Sequence, residues 1–95
     1  MQKQPCVYFL SSVNKNALYI GVTSNLKKRV WLHKSNAVNG FSKRYQTHEL
    51  IYFELYSTMD LAIAREKQVK KWRRQWKNEL VDTHNPEWLD LYLSL

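Results

Sequence analysis

Short runs of apolar and β-branched residues alternate with polar stretches in the first half of the chain. Residues 5–12 and 17–23 are two such runs, and both are rich in the residue types that favour strands. The polar residues 14–16 between them predict a hairpin turn. A third run at 48–55 follows a polar loop at 36–43, which contains an Asn-Gly pair. The pattern therefore predicts three strands.

Apolar residues at three- and four-residue steps predict three helices. The first starts at Thr23 or Ser24, either of which can cap it, and runs to about Ser35. The second is long, because no helix breaker interrupts the pattern over residues 57–81. The third, over residues 86–95, begins with a proline, which is favoured at the first helical position.

The long helix is expected to start at Ser57, because Ser57 and Asp60 resemble a capping box. The complete order of elements is then ββαβαα. This order predicts an α+β fold, with a small three-stranded antiparallel sheet flanked by helices. No repeat or linker divides the chain, so residues 1–95 are expected to form a single domain.

Positive charge dominates the composition and narrows the choice of partner. The chain has 15 Lys and Arg against 8 Asp and Glu, which gives a formal net charge of +7. Such an excess is typical of proteins that bind phosphates, with acidic membranes as the competing partner. Seven of the 13 residues at 65–77 are Lys or Arg, whereas residues 79–95 contain neither. We therefore expect separate basic and acidic surfaces and an anionic partner.

Several classes of protein are disfavoured by what the sequence lacks. No apolar run approaches the roughly 20 residues needed to cross a bilayer, and the N-terminus lacks the pattern of a signal peptide. Cys6 has no cysteine partner, and its apolar neighbours indicate a buried thiol. His33, His48 and His84 are too scattered for a zinc site, and no glycine-rich phosphate loop is present. We expect a cytoplasmic protein with no membrane partner and no small-molecule cofactor.

Glu66 stands out because it is the only acidic residue between Asp60 and Glu79. In a helix it shares a stripe with Ala62 and Val69, so it is expected to point inward among basic neighbours. Two roles fit a carboxylate in this position. It either forms an ion pair with an Arg or Lys, or it holds a metal ion against a polyanion.

The strongest functional signal is an ordered set of residues that spans most of the chain. Residues 6–8 (Cys-Val-Tyr) and 19–21 (Tyr-Ile-Gly) lie on the first two predicted strands, followed by Arg29 and His33 on the first helix and Glu66 on the long one. With this set the chain resembles the GIY-YIG endonuclease family. It is most similar to the compact, stand-alone bacterial members, which in turn resemble the N-terminal nuclease domain of the excinuclease C subunit.

The resemblance implies an endonuclease that uses Mg²⁺ or Mn²⁺ to cleave phosphodiester bonds, with DNA as the expected partner. Arg29 would stabilise the reacting phosphate, Glu66 would bind the metal ion, and Gly21 would let the backbone approach a phosphate. Asn85 is the alternative to Asn78 for the family's asparagine, although Asn85 also fits a helix cap before the third helix. The implied catalytic residues are Tyr8, Tyr19, Arg29, His33, Glu66 and Asn78.

The general base stays open between Tyr8, Tyr19 and His33. An unperturbed tyrosine has a pKa of about 10 and is a poor base, whereas histidine titrates near 6.5. Val22 follows the second signature where some family members have Lys, so activation of Tyr19 must come from elsewhere. The residues expected to contact nucleic acid are Gly21, Lys27, Lys28, Lys34, Lys67, Lys70, Lys71, Arg73 and Arg74.

Two other functions fit the same sequence. A nucleic-acid-binding module without catalytic activity would grip the backbone through the basic helix and stack bases on Trp72 and Trp76. A protein-interaction adaptor would dock a partner through its acidic C-terminal segment and the aromatic residues of its predicted terminal helix. A chain this short has no separate recognition module, so cleavage would be structure-selective or non-specific, with DNA repair or processing as the expected setting.

Overall fold

The computed structural model describes residues 3–95, so the first two residues of the expected 1–95 domain lie outside the described residues. Three strands form one antiparallel sheet in the order β2-β1-β3. The strands are β1 (Cys6–Ser11), β2 (Leu18–Thr23) and β3 (Glu49–Leu55). All three predicted strands are therefore confirmed, and so is the α+β class.

In residues 3–95 four α-helices flank the sheet, and the chain order of the elements is β1β2α1α2β3α3α4. Asn25 caps the first helix by accepting a hydrogen bond from the Lys28 amide at 3.2 Å, so the prediction of Thr23 or Ser24 as the cap was wrong. None of the helices in residues 3–95 is long and apolar enough to cross a membrane. The helices are α1 (Leu26–Lys34), α2 (Phe41–Tyr45), α3 (Met59–Lys70) and α4 (Arg74–His84).

The stretch predicted as a polar loop, residues 36–43, instead contains the start of α2. This helix has only five residues, and its C-terminus is closed by Gln46 in a left-handed conformation, with φ of 56°. Such a short helix has too few turns to show a helical repeat in the sequence. Ser42, which is 1% exposed, is the buried residue that anchors α2.

The single long helix predicted over 57–81 is two helices, α3 and α4, with a turn at residues 71–73. A straight helix of that length would extend about 37 Å. The longest dimension of the domain is only 33 Å, so an unbroken helix could not keep both halves on the sheet. Thr58, rather than Ser57, caps α3 by accepting a hydrogen bond from the Leu61 amide.

The terminal helix predicted over 86–95 is absent, and only a 3-10 turn forms at Tyr92–Ser94. Its backbone instead bonds to β3, because the Leu91 amide donates to the Leu50 carbonyl at 2.7 Å. Asn85 also holds this segment, since its Nδ2 donates to Leu89 O at 2.9 Å and its Oδ1 accepts from the Leu89 amide at 3.1 Å. Asn85 is thus a buried structural residue.

Each face of the sheet has its own apolar cluster. Helices α3 and α4 cover one face and bury Ala62, Val69 and Val81 there. The opposite face packs against α1 and buries Tyr8 and Cys6. The prediction that the Cys6 thiol is buried is confirmed. Side chains of alternate residues on β1 therefore enter different layers, and Tyr8 lies on the α1 side.

Candidate active site

Tyr8 and Gly21 lie directly opposite each other on β1 and β2. A Cβ atom on Gly21 would be 2.5 Å from the hydroxyl oxygen of Tyr8 and 2.6 Å from its Cζ. The Tyr8 ring therefore occupies the space that any other residue at position 21 would need. The glycine of the second signature has a packing role here, whether or not a phosphate also approaches its backbone.

We expect the substitution Gly21→Ala to destabilise the fold by about 1–3 kcal/mol, because the buried Tyr8 ring cannot move away freely. Urea unfolding would measure this difference. In a Tyr8→Leu background the same substitution should cost much less, since the colliding ring is gone. Equal losses in the two backgrounds would contradict the proposed clash.

A chain of hydrogen bonds connects Tyr8 to α1 and α2. Arg29 Nε donates to Tyr8 Oη at 3.4 Å, and Tyr8 Oη lies 2.9 Å from His33 Nε2. His33 Nδ1 lies 2.7 Å from Ser42 Oγ, and Ser42 donates its proton to the Thr47 carbonyl at 3.3 Å. Ser42 therefore accepts from His33 Nδ1, which leaves Nε2 of the neutral ring to accept the Tyr8 proton.

Burial and Arg29 set the protonation states in this chain of hydrogen bonds. Burial raises the pKa of Tyr8 well above its ordinary value, although the hydrogen bond from Arg29 opposes this change. Burial, followed by the charges of Arg29 and His48, lowers the pKa of His33 to about 4. Around neutral pH Tyr8 thus keeps its proton and His33 stays uncharged.

The low pKa of His33 predicts a pH dependence of stability. The unfolded chain binds a proton at this residue below about pH 6.5, whereas the folded protein does so only near pH 4. The contribution to stability is therefore complete above pH 6.5 and declines as the pH falls through that window, by up to roughly 3 kcal/mol. Denaturant unfolding between those pH values would measure it. In His33→Gln the difference between the two ends of the window should shrink; an unchanged difference would contradict the assignment to His33.

Tyr19 lines an open groove at the free edge of β2. The groove is lined by Leu18, Tyr19 and Ile20 of β2, Phe41 of α2, Lys70 of α3 and Lys77 of α4. The groove has a volume of about 230 Å³. Tyr19 also lies beside the buried pair, with ring centroids 6.1 Å from Tyr8 and 5.0 Å from His33. Tyr19 is therefore the signature tyrosine that lines the groove.

Glu66 projects from α3 toward this same edge. Helix α3 packs on β1 and β2, and it buries Ala62 and Val69 against the sheet. Arg65 projects to the β3 side, where its Nε donates to Glu54 at 2.9 Å. Successive helical residues are about 100° apart, so Glu66 projects on the other side of the buried stripe, toward β2.

Glu66 forms an ion pair with Lys70, whose Nζ lies 3.5 Å from Glu66 Oε2. The Glu66 side chain is only 15% exposed, whereas that of Lys70 is 51% exposed. An ion pair, one of the two roles open from the sequence, therefore exists here. Because Lys70 also lines the groove beside Tyr19, the carboxylate lies next to the groove. Within residues 3–95, no three His, Cys, Asp or Glu side chains converge on a common metal-binding point.

Asn78 lies on α4 and accepts a hydrogen bond from Arg74 Nε at 2.8 Å. Arg74 in turn donates to the carbonyl oxygens of Lys15 and Asn16 in the turn between β1 and β2. This contact ties α4 to the β1–β2 hairpin near the groove. Asn78 thus bonds to Arg74 and Glu66 to Lys70, and the catalytic role of Asn78 stays a prediction.

Some of the cations expected to contact nucleic acid already have partners within the protein, whereas others are exposed. Lys34 pairs with Asp90 at 2.5 Å, and Arg74 holds the hairpin turn. Arg73 lies over the Trp76 ring at 4.9 Å. Trp76 is 46% exposed, so much of its ring lies in solvent. The exposed cations that remain predicted contacts are Lys27, Lys28, Lys67, Lys70, Lys71 and Arg73.

Sequence reasoning missed the residues that hold the site in place. Ser42 binds His33, and Thr47 Oγ1 donates to Ser42 Oγ at 2.7 Å, although nothing local in the sequence marks either residue. Lys77 was also missed, despite lying in the basic stretch; burial and then Arg74 lower the pKa of this groove residue. Phe41 and Tyr45 are four residues apart, but a single such pair is too little to predict α2 from the sequence.

This is a nuclease-type domain. It is defined by the three-stranded sheet, the tyrosine pair on β1 and β2, and the arginine and glutamate on the following helices. The chain matches the GIY-YIG catalytic domain over residues 4–79, so the protein belongs to the GIY-YIG family. Nucleic acid is the substrate class of this family, and its members generally use divalent metal ions.

The chain is similar to small UPF0213 proteins from several bacteria. It is 33% identical over 82 residues to one from Syntrophus aciditrophicus, covering 85% of this chain and 92% of that protein. Identity to one from Streptococcus pyogenes serotype M3 is 30% over 86 residues, covering 90% and 92%. The solution NMR structure of a UPF0213 protein from Bacillus halodurans has a TM-score of 0.58 at 21% identity, with 92% of each chain covered. At 21% identity, the similarity between the two structures establishes a shared fold and nothing further.

Proposed function

We propose that the protein is a divalent-metal-dependent endonuclease that hydrolyses phosphodiester bonds of DNA. The observation that supports this proposal best is the groove at the edge of β2. Tyr19 lines it, the Arg29–Tyr8–His33 chain of hydrogen bonds lies behind Tyr19, and Glu66 lies beside it through its contact with Lys70. A purely structural role would not require an arginine held by two buried rings and a shielded carboxylate on either side of an accessible tyrosine.

Tyr19 is the proposed residue that acts on the attacking water. It lines the groove, whereas Tyr8 and His33 are each 1% exposed. In the proposed reaction Tyr19, in its phenolate form, accepts a proton from water as the water oxygen bonds to phosphorus, and the bond to the 3′ oxygen breaks. The leaving 3′ oxygen takes up a proton from solvent, and the product carries a 5′ phosphate and a 3′ hydroxyl. His33 and Tyr8 hold the Arg29 guanidinium at the site, where it stabilises the charge that develops on the phosphate.

Glu66 is the proposed metal ligand. Mg²⁺ typically uses one or two protein carboxylates and completes its shell with water and substrate oxygens, so a single shielded carboxylate fits this ion. When bound, the ion would supply positive charge to the phosphate and the leaving oxygen. Lys70 would have to leave Glu66 in the metal-bound protein, and it could then contact the DNA backbone.

The test is to incubate the purified protein with branched, flapped, single-stranded and plain duplex DNA in Mg²⁺ or Mn²⁺. We expect cleavage of at least one substrate, and full loss of cleavage when the ions are chelated. Glu66→Ala protein purified in the same way controls for trace nucleases. If no substrate is cut, the proposal fails and a binding module or adaptor is left. If DNA is cut equally well in chelator, the proposed metal dependence fails.

DNA repair or processing in the cytoplasm is the proposed setting. The support for it is the positive charge of the molecule, the free buried Cys6, and the similarity of the family to excinuclease C. We propose structure-selective or non-specific cleavage, because the described residues contain only the sheet and its flanking helices.

A further inference from the structure

Three aromatic rings run outward from the groove in a continuous series. The Tyr19 and Phe41 rings are stacked, with centroids 6.5 Å apart and planes 29° from parallel. The Phe41 and Tyr45 centroids are 4.6 Å apart, at 41°. We call Tyr19, Phe41 and Tyr45 the aromatic ladder. Its inner ring lines the candidate active site, and its outer rings belong to α2.

The two outer rings of the aromatic ladder are largely exposed to solvent. Phe41 is 45% exposed and Tyr45 is 46% exposed. Helix α2 is anchored from its other side by Ser42, which is 1% exposed and bonded to His33 and Thr47. The two rings therefore leave half of their surface in solvent without being the anchor of the helix.

The aromatic ladder belongs to a part of the chain whose charged residues are all positive. Residues 3–48 contain no Asp or Glu, and Glu49 is the first acidic residue of the sequence. Lys43 and Arg44 are exposed on α2, and the Arg44 guanidinium lies 5.4 Å from the Tyr45 ring centroid. Exposed rings beside cations are the combination that binds single-stranded nucleic acid, through base stacking and backbone charge.

We propose that the aromatic ladder binds unpaired bases of a DNA strand that continues out of the groove. Paired bases are stacked on their neighbours within a duplex and cannot lie on Phe41 or Tyr45. The proposal rests on the proposed function and makes it more specific. The preferred substrate then carries a single-stranded segment, such as a flap, next to the bond that is cut.

The test measures binding in chelator, where no cleavage occurs, by fluorescence anisotropy of a labelled oligothymidylate and a labelled hairpin duplex. We expect Phe41→Leu with Tyr45→Leu to weaken oligothymidylate binding about tenfold or more, and duplex binding less than about twofold. Trp31→Leu is the matched control, because Trp31 is 57% exposed beside Lys27 and Lys28 but lies outside the aromatic ladder. It should bind both probes like the original protein.

Two further variants keep the test valid if the double variant folds poorly. Tyr45→Leu alone changes only the outermost ring, and Phe41→Trp keeps an aromatic surface and should preserve oligothymidylate binding. Equal losses on both probes, no loss on either, or the same loss in Trp31→Leu would overturn the proposal. If no DNA is cut but the selective loss is observed, the aromatic ladder stands while the proposed nuclease activity falls.

Discussion

Glu66→Ala is expected to reduce DNA cleavage by about a thousandfold or more while leaving DNA binding within a few-fold of the original. The reason is that the variant removes the carboxylate that pairs with Lys70 of the groove, and with it the proposed metal ligand. The variant also frees Lys70 from its ion pair, which favours contact with DNA. Cleavage rates in Mg²⁺ and anisotropy in chelator would separate the two effects.

Asp60→Ala is the matched control for this experiment. Asp60 is an exposed carboxylate in the first turn of the same helix, so its loss changes net charge by the same amount. We expect this variant to cut DNA at nearly the original rate. Normal cleavage by Glu66→Ala, or equal loss in both variants, would show that Glu66 has no metal-binding role.

Arg29→Ala is expected to slow cleavage by about a hundredfold to a thousandfold, because a positioned donor is lost where negative charge develops. The hydroxyl of Tyr8 raises the pKa of Arg29, so the guanidinium remains charged throughout the working pH range. Arg29→Lys should recover only part of the rate, because a lysine cannot reproduce the Nε bond to Tyr8. Single-turnover rates at saturating protein would measure the chemical step.

Lys28→Ala controls for the general loss of positive charge from α1. Lys28 is exposed on the same helix, next to Arg29 in the sequence. We expect its loss to weaken binding modestly and to make it less salt-dependent, with little change in the single-turnover rate. If Lys28→Ala slows the chemical step as much as Arg29→Ala, Arg29 acts through bulk charge only.

The local pattern was sufficient for the strands and for the tyrosine pair. Tyr8 and Tyr19 lie on adjacent strands, so alternation and the hairpin turn already place both rings on one face. The same pattern predicted the position of α1 to within two residues at its start. It could not locate the break between α3 and α4, because residues 71–73 carry no Gly or Pro; an unbroken helix would be longer than the domain, whose longest dimension is 33 Å.

The sequence by itself determined the family, the three strands, the burial of Cys6 and the identity of the signature residues, because each depends on residue type and short-range spacing. Only the tertiary structure decided that Ser42 orients His33, that Glu66 lies at the β2 edge, and that α2 extends the groove with two exposed rings. These features join segments that are far apart in the chain. Their contacts depend on how helices pack on the sheet, and no local periodicity encodes that packing.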